Sequence, residues 1–249
     1  MSRDWDAATY ERISDPQVGW ARTVLDRLPL EGDETVLDAG CGTGRVTRLL
    51  LERLPRGRVV AVDSSAAMVE AARRALGERA TVILSDLVDL ELEEPVDAVF
   101  SNAVFHWIAD HDRLFRRLHA ALESGGRLVA QCGGQGNIAR LHRVASELGT
   151  QPPFAEYLDG WDGPWHFAGA EETAERLEAA GFVDVGTSLE DWPVRPPEPD
   201  AYMRTVCLGP HLQRLPAKLG DRFVDAVTDR IGQRPTLDYV RLNIAARRA

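Results

Sequence analysis

From residue 35 to residue 131 the chain alternates short apolar runs with longer stretches that are apolar on one side only, and this alternation restricts the fold more than any other feature. Residues 35–38, 58–63, 81–84, 96–101 and 127–131 are rich in Val, Leu, Ile and Ala and have the length of buried strands. Helical repeats fall between them. Val46, Leu49, Leu50 and Leu54 share one face, Met68, Val69, Ala72 and Leu76 a second, and Leu114, Phe115, Leu118, Ala121 and Leu122 a third. Ser64 or Ser65 is placed to cap the second helix and Asp110 the third, because a short oxygen-bearing side chain accepts from the orphan N–H groups of a first turn. Gly125-Gly126 is placed to stop the third helix. Strands without a polar face must be covered on both sides, which predicts a parallel α/β sheet with right-handed crossovers. Ligands of such sheets bind beyond the carboxyl ends of the strands.

The second half is less regular. Leu141, Val144, Ala145 and Leu148 predict another helix, and residues 151–168 gather Pro152, Pro153, Phe154, Tyr157, Trp161, Pro164, Trp165 and Phe167 into a loop-rich lid. A helix over 171–180, stopped by Gly181, precedes a strand over 182–189. Pro193, Pro196, Pro197 and Pro199 mark an extended connection, helical material runs to about Ile231, and 236–247 ends the chain as a strand. The reading is an open, mostly parallel seven-stranded sheet with helices on both faces and a helical and loop cap. Its units are an N-terminal helical lid segment over 1–33, a ligand-binding core over 34–149, cap and remaining core elements over 150–235, and a closing strand over 236–249.

At 249 residues the chain suits one α/β domain with an elaboration. A net charge of −10 repels phosphate backbones and argues against nucleic acid as a partner. No window approaches the ~20 apolar residues that span a bilayer, so no membrane partner is expected. Met1-Ser2-Arg3-Asp4-Trp5-Asp6 has no basic and apolar leader pattern. Cys41, Cys132 and Cys207 are odd in number and form no C-x-x-C pair, which points to a reducing, cytoplasmic setting without a disulfide framework. No His/Glu spacing suggests a metal.

Chemistry concentrates at the strand ends. Val36-Leu37-Asp38-Ala39-Gly40-Cys41-Gly42-Thr43-Gly44 joins the first strand to the first helix, with glycines where a ligand can approach bare backbone. The dinucleotide pattern G-x-G-x-x-G would need glycine at 45, where Arg45 stands. A carboxylate at Asp38 offers nothing to a pyrophosphate but suits an ammonium and a sulfonium. Asp63 ends the second strand, 19 residues past Gly44, where it can accept from both hydroxyls of a ribose. Ser85-Asp86-Leu87 follows the third strand, where Asp86 can hold an exocyclic amine. Ser101-Asn102-Ala103-Val104-Phe105-His106-Trp107 follows the fourth and puts polar and aromatic groups beside a reacting centre.

Taken in order, these four segments resemble the class I S-adenosylmethionine-dependent methyltransferase family, over residues 34–131 and more loosely over the whole chain. The resemblance implies a Rossmann-like fold and S-adenosylmethionine as cofactor, with S-adenosylhomocysteine as its product. It implies that Gly40, Cys41 and Gly42 line the methionine moiety, with Gly44 closing the bend. Asp63 would recognise the ribose with Ser64 beside it, Met68 would lie against the adenine or ribose, and Asp86 and Leu87 would meet the adenine. Trp5-Asp6 with Tyr10, Asp63-Ser64-Ser65, Asn102-Ala103 with His106-Trp107, and Asp110-His111 are similar to the trans-aconitate methyltransferase group. The loop Cys132-Gly133-Gly134-Gln135-Gly136-Asn137 departs from that group. In the family the N-terminal segment folds over the cofactor, which makes Tyr10 and Trp20 candidate lid residues.

Transfer from a sulfonium asks the protein mainly to align the acceptor and exclude water. The resemblance implies an oxygen of a small carboxylic acid as acceptor. A carboxylate needs no base, whereas a hydroxyl would need one. His106 is the candidate, as base or as orienting donor, with Trp107, Trp165 and Trp20 as substrate-binding neighbours. A hydroxylated secondary metabolite, methylated on oxygen or carbon, is the rival acceptor. A nicotinamide-dependent oxidoreductase or an inactive cofactor-binding module is the rival of another class, and Arg45 and Asp38 speak against the oxidoreductase.

Overall fold

The computed structural model describes residues 15–249. Helix α1 (Asp15–Asp26) leads into β1 (Thr35–Ala39), then α2 (Arg45–Arg53), β2 (Arg58–Asp63), α3 (Ala66–Leu76), β3 (Ala80–Leu84), β4 (Val96–Asn102), α4 (His111–Ala121) and β5 (Leu122–Gly133). Helices α5 (Ala139–Gly149) and α6 (Ala170–Ala179), strand β6 (Phe182–Asp191), helix α7 (Ala217–Ile231) and strand β7 (Val240–Arg248) complete the set, with short helical turns between them. The strands form one open seven-stranded sheet in the order β3-β2-β1-β4-β5-β7-β6. The pairs from β3 to β5 are parallel, and β7 runs antiparallel to β5 and β6. This is the mostly parallel sheet that the sequence predicts.

Strand geometry explains the double burial. Side chains alternate across a sheet, so Val36, Ala98, Phe100 and Val129 enter one cluster with α1, α2 and α3, while Leu37, Val99, Leu128 and Ala130 enter another with α4 and α6. Burial of each of the Val, Leu and Phe side chains contributes about 1.5–3 kcal/mol. A third cluster, with Trp20 of α1, Leu141, Leu148, Phe154, Phe223 and Val227, forms the cap from α5, α7 and the short helical turns next to them. Of the two candidate serines, Ser65 caps α3 by accepting from the Met68 N–H at 3.4 Å, and Asp110 caps α4 through the Arg113 N–H at 2.8 Å.

Two expected boundaries move. Helix α4 ends at Ala121, and Leu122 already pairs with Val96. Gly125 and Gly126 lie in the bulge that follows, where the register jumps from Val96↔Leu122 to Ala98↔Arg127. A Cβ on Gly126 would sit 2.9 Å from the Glu123 carbonyl oxygen, so the bulge is what excludes a side chain there. The last strand begins at Val240 instead of 236, because Leu237 is drawn into an isolated bridge with Val194 on the proline-rich connection. Among the described residues no helix is long and apolar enough to cross a membrane.

The bend between β1 and α2 makes unequal demands on its glycines. Gly40 has φ +89°, and a Cβ there would stand 2.2 Å from Cγ2 of Val104, whereas at Gly42 (φ +54°) a Cβ would meet nothing within 4 Å. Gly40→Ala is expected to cost about 2–4 kcal/mol from strain plus overpacking, and Gly42→Ala about 1 kcal/mol. Thermal unfolding checks this: the Gly40 variant should melt roughly 5–10 °C below the natural protein, and the Gly42 variant much closer to it.

Candidate active site

The bend hangs from the end of β2. The N–H groups of Gly40 and Cys41 both donate to the Val62 carbonyl, at 2.8 and 2.9 Å. The Asp63 carboxylate then receives the Gly42 N–H on Oδ2 and the Ser65 N–H on Oδ1, each at 2.9 Å. Burial raises its pKa, and these backbone donors oppose the rise. Two acceptors occupied on different oxygens leave lone pairs for a ligand, since an ionised carboxylate has about four such sites.

Beyond the carboxyl ends of the parallel strands lies a cavity of about 520 Å³. Gly40, Gly42, Asp63, Ser64, Met68, Asp86, Leu87, Asn102, Ala103, Trp20, His106, Trp107 and Trp165 all line it. Asp86 also caps a short turn, accepting from the Val88 N–H at 3.2 Å. Ala103 is a non-glycine residue at φ +62°, held there by its N–H on the Gln131 carbonyl at 2.7 Å. Strained backbone of this kind persists where surrounding structure fixes it.

Three residues expected at the ligand do not reach the wall: Asp38, Cys41 and Gly44 lie behind it. Asp38 is buried beneath the bend, where its Oδ2 accepts from the Thr47 hydroxyl at 2.6 Å. Burial pushes its pKa up to about 7, with Thr47 opposing and the Asp63 charge adding to the rise. So two of the three strand-end carboxylates meet in the cavity, and the third braces α2 against β1. Cys41 is buried, its thiol donating to the Gly42 carbonyl, and burial raises its pKa. Gly44 precedes α2 at φ +82°. Tyr10 lies outside the described residues.

His106 is fixed in one tautomer. Its Nδ1 accepts the Gly133 N–H at 3.2 Å, so the neutral ring carries its proton on Nε2. Burial first, then the charges of Arg241 and His111, hold its pKa well below the usual imidazole value. His106 therefore presents a donor, and the base role that its residue type allowed is removed by the backbone contact. Phe167 stacks on it at 5.7 Å, the His166 N–H holds its carbonyl at 2.9 Å, and Trp107 and Trp165 meet at 5.8 Å.

The sequence reading missed Arg241. It is 1% exposed yet lines the cavity, with its guanidinium 4.3 Å above the Trp20 ring and its Nε donating to Gln131 Oε1 at 3.3 Å. Tyr239, paired with Tyr202 through their hydroxyls at 2.9 Å, joins it in the wall. The alternation of apolar residues in β7 marked a strand but not its direction. Only the antiparallel course carries its first residues to the carboxyl ends of the parallel strands. Among the described residues no group of three or more His, Cys, Asp or Glu is placed to hold a metal.

Residues 36–126 match the family described as "Methyltransferase domain". The chain is 37% identical over 194 residues to trans-aconitate 2-methyltransferase of Azoarcus sp. (strain BH72), covering 76% of this chain and 71% of that protein. It is 30% identical to the enzyme of the same name from Acidovorax sp. (strain JS42), covering 99% of both. The chain belongs to the S-adenosylmethionine-dependent methyltransferases, in the family of these enzymes. Solved structures agree on the fold. Phosphoethanolamine N-methyltransferase 2 of Haemonchus contortus, in complex with S-adenosyl-L-methionine, superposes with a TM-score of 0.64 at 20% identity, over 97% of this chain and 56% of that one. The YcgJ protein of Bacillus subtilis gives 0.64 at 14% identity, over 94% and 98%. S-adenosylmethionine is the methyltransferase's cofactor, and the chemistry of the wall fits it: carboxylates for hydroxyl and amine donors, and exposed backbone at the glycines.

Asp38 gives a pH signature. The folded methyltransferase holds this proton more tightly than the unfolded chain does, so the residue's contribution to stability is full below the ordinary aspartate value of 3.8 and is lost as pH rises through about 7. Asn keeps an acceptor for Thr47 without the charge. Measured without added cofactor, the Tm of Asp38→Asn relative to the natural protein should rise by roughly 5 °C between about pH 5 and about pH 8.

Proposed function

We propose that this methyltransferase esterifies a carboxylate of a small acid of the trans-aconitate kind, working in the cytoplasm. The observation that carries the reading is Arg241, a permanent cation buried in the cavity wall close enough to His106 for its charge to act on that ring. A guanidinium fork is matched to a carboxylate, and a charge-assisted pair is shorter and stronger than a neutral one. The names of the two relatives above point the same way, and three buried free thiols suit a reducing compartment.

S-adenosylmethionine, when bound, supplies an electrophilic methyl on a sulfonium with a neutral leaving group. The chain's residues do the rest. Asp63 accepts the ribose hydroxyls with Ser64 alongside, Asp86 and Leu87 receive the adenine, and Met68 covers the adenine or ribose. The bend at Gly40 and Gly42 borders the methionine portion, with Asn102 and Ala103 beside the reacting centre. Arg241 holds one carboxylate oxygen pair of the acceptor and the Nε2–H of His106 donates to it, while Trp20, Trp107 and Trp165 exclude water. Together Arg241 and His106 would orient an acceptor oxygen towards the methyl that the bound cofactor would supply. The nucleophile is already ionised, so no proton has to move.

Transfer of labelled methyl to a panel of mono-, di- and tricarboxylic acids, their amides and a set of phenols tests this. Transfer to acids and not to amides or phenols is expected. Arg241→Met should lower kcat/KM on the acids about 10–100-fold, the loss of one charge-assisted contact, with S-adenosylhomocysteine affinity within about threefold. Preference for phenols, untouched by Arg241→Met, would overturn the reading.

The neutral state of His106 has its own consequence. Its pKa lies well below 6.5, so it stays uncharged across the neutral range. With an ionised acceptor, kcat/KM should then be flat between about pH 6 and pH 8. A limb near the ordinary imidazole value that disappears in His106→Ala would contradict the donor role.

A further inference from the structure

Arg241 belongs to a hydrogen-bond chain that reaches the protein surface. Its Nε donates to Gln131 Oε1 at 3.3 Å, and Gln131 Nε2 donates to Asn243 Oδ1 at 2.7 Å. Asn243 Nδ2 donates to Glu190 Oε2 at 3.1 Å, while Arg27 donates to Asn243 Oδ1 and pairs with Glu190 at 3.5 Å. Three adjacent strands place these groups, except Arg27, which follows α1. Gln131 on β5 lies opposite Asn243 on β7, and Asn243 lies one pleat repeat along β7 from Arg241, so both point to the same face. Gln131 is 0% exposed and Asn243 8%, whereas the Glu190 and Arg27 side chains are 43% and 39% exposed.

The two ends dictate the middle. A carboxylate only accepts and a guanidinium only donates. Glu190 therefore takes the NH2 of Asn243, and Arg27 takes its oxygen. With that oxygen aimed at Gln131, the Gln131 amide must turn its NH2 towards Asn243 and its oxygen towards Arg241. Turning either amide over sets donor against donor along a buried line, where unmade bonds are costly. The direction of every bond is thus set outside the cavity and read inside it, at the guanidinium.

We propose that Gln131 and Asn243 are positioning residues for the acceptor: with Glu190 and Arg27 they hold the Arg241 fork in the orientation that meets a carboxylate. The inference rests on the carboxylate reading above, and it assigns part of the anion selectivity to residues that touch neither acceptor nor cofactor. Asn243→Leu breaks the chain. Asn243→Asp gives up the bond to half-exposed Glu190 but keeps an acceptor for Gln131 and Arg27, and so keeps the Gln131 oxygen on Arg241. Glu190→Lys, on a half-exposed side chain, sets a donor against the Asn243 NH2 and repels Arg27, its former ion-pair partner, so both surface groups that orient the Asn243 amide are lost at once.

The experiment measures KM and kcat for the best acid of the panel, together with the S-adenosylhomocysteine Kd and Tm, in these three variants and in Arg241→Met. Asn243→Leu and Glu190→Lys should raise KM about tenfold with kcat and Kd within about twofold, and Asn243→Asp should stay within about threefold of the natural protein. If Arg241→Met raises KM while Asn243→Leu and Glu190→Lys do not, the positioning role is overturned and the carboxylate reading stands. If Arg241→Met leaves KM unchanged, both fall together. If kcat, Kd and KM all move in proportion in Asn243→Leu and Asn243→Asp alike, the chain is merely structural and the proposal is overturned. Should Asn243→Leu fail to fold, Glu190→Lys decides the same question from the surface end.

Discussion

The end of β2 holds the site together. The Val62 carbonyl and the Asp63 carboxylate take the Gly40, Cys41, Gly42 and Ser65 N–H groups, which ties the bend after β1 to the start of α3. These bonds exist because β1 and β2 pair in parallel with Ala39 opposite Val62, so both strands finish at one level. With those four donors engaged on β2, the bend has one shape and Asp63 one direction. A cavity wall made of backbone is rigid only if its polar groups are satisfied in this way. Asp38 adds a brace from behind, carboxyl to Thr47 hydroxyl, at the cost of a buried acid.

Across the cavity the charge changes sign. Asp63 and Asp86 stand at the ends of β2 and β3, and Arg241 stands at the start of β7. The sheet order sets the distance between them, because β1, β4 and β5 intervene. A cationic nucleoside is favoured at the acidic side and an anion at the other, with His106 and the Trp107 and Trp165 rings between. In a water-poor cleft such fixed charges act far more strongly than on a surface. One topological event, the reversed entry of β7, produces this gradient: a parallel last strand would have carried its first residues to the opposite edge of the sheet.

The readable features were those that depend on local chemistry. Apolar strands, the caps at Ser65 and Asp110, the glycine bend and the carboxylates at 63 and 86 follow from residue type and spacing, and the structure brings Asp63 and Asp86 to one cavity. What could not be read depends on direction or on distant partners. Asp38 looked equivalent to Asp63, yet it lies one residue inside its strand and turns towards Thr47. His106 could serve as base or as donor, and the Gly133 N–H, 27 residues away, decides its tautomer. Leu122 fits a helical face and is claimed instead by Val96 across the sheet. Arg241 carried no local mark at all: its role depends on which end of β7 meets the strands' carboxyl ends.

A crystal structure with S-adenosylhomocysteine tests the polarity of the cavity most directly. The ribose hydroxyls are expected within about 3 Å of Asp63, the adenine beside Asp86 and Leu87, and the sulfur facing the space bounded by His106 and Arg241. A nucleoside turned end for end, with its purine at Arg241, or one seated in the smaller cavity between Trp161 and His211, would contradict it.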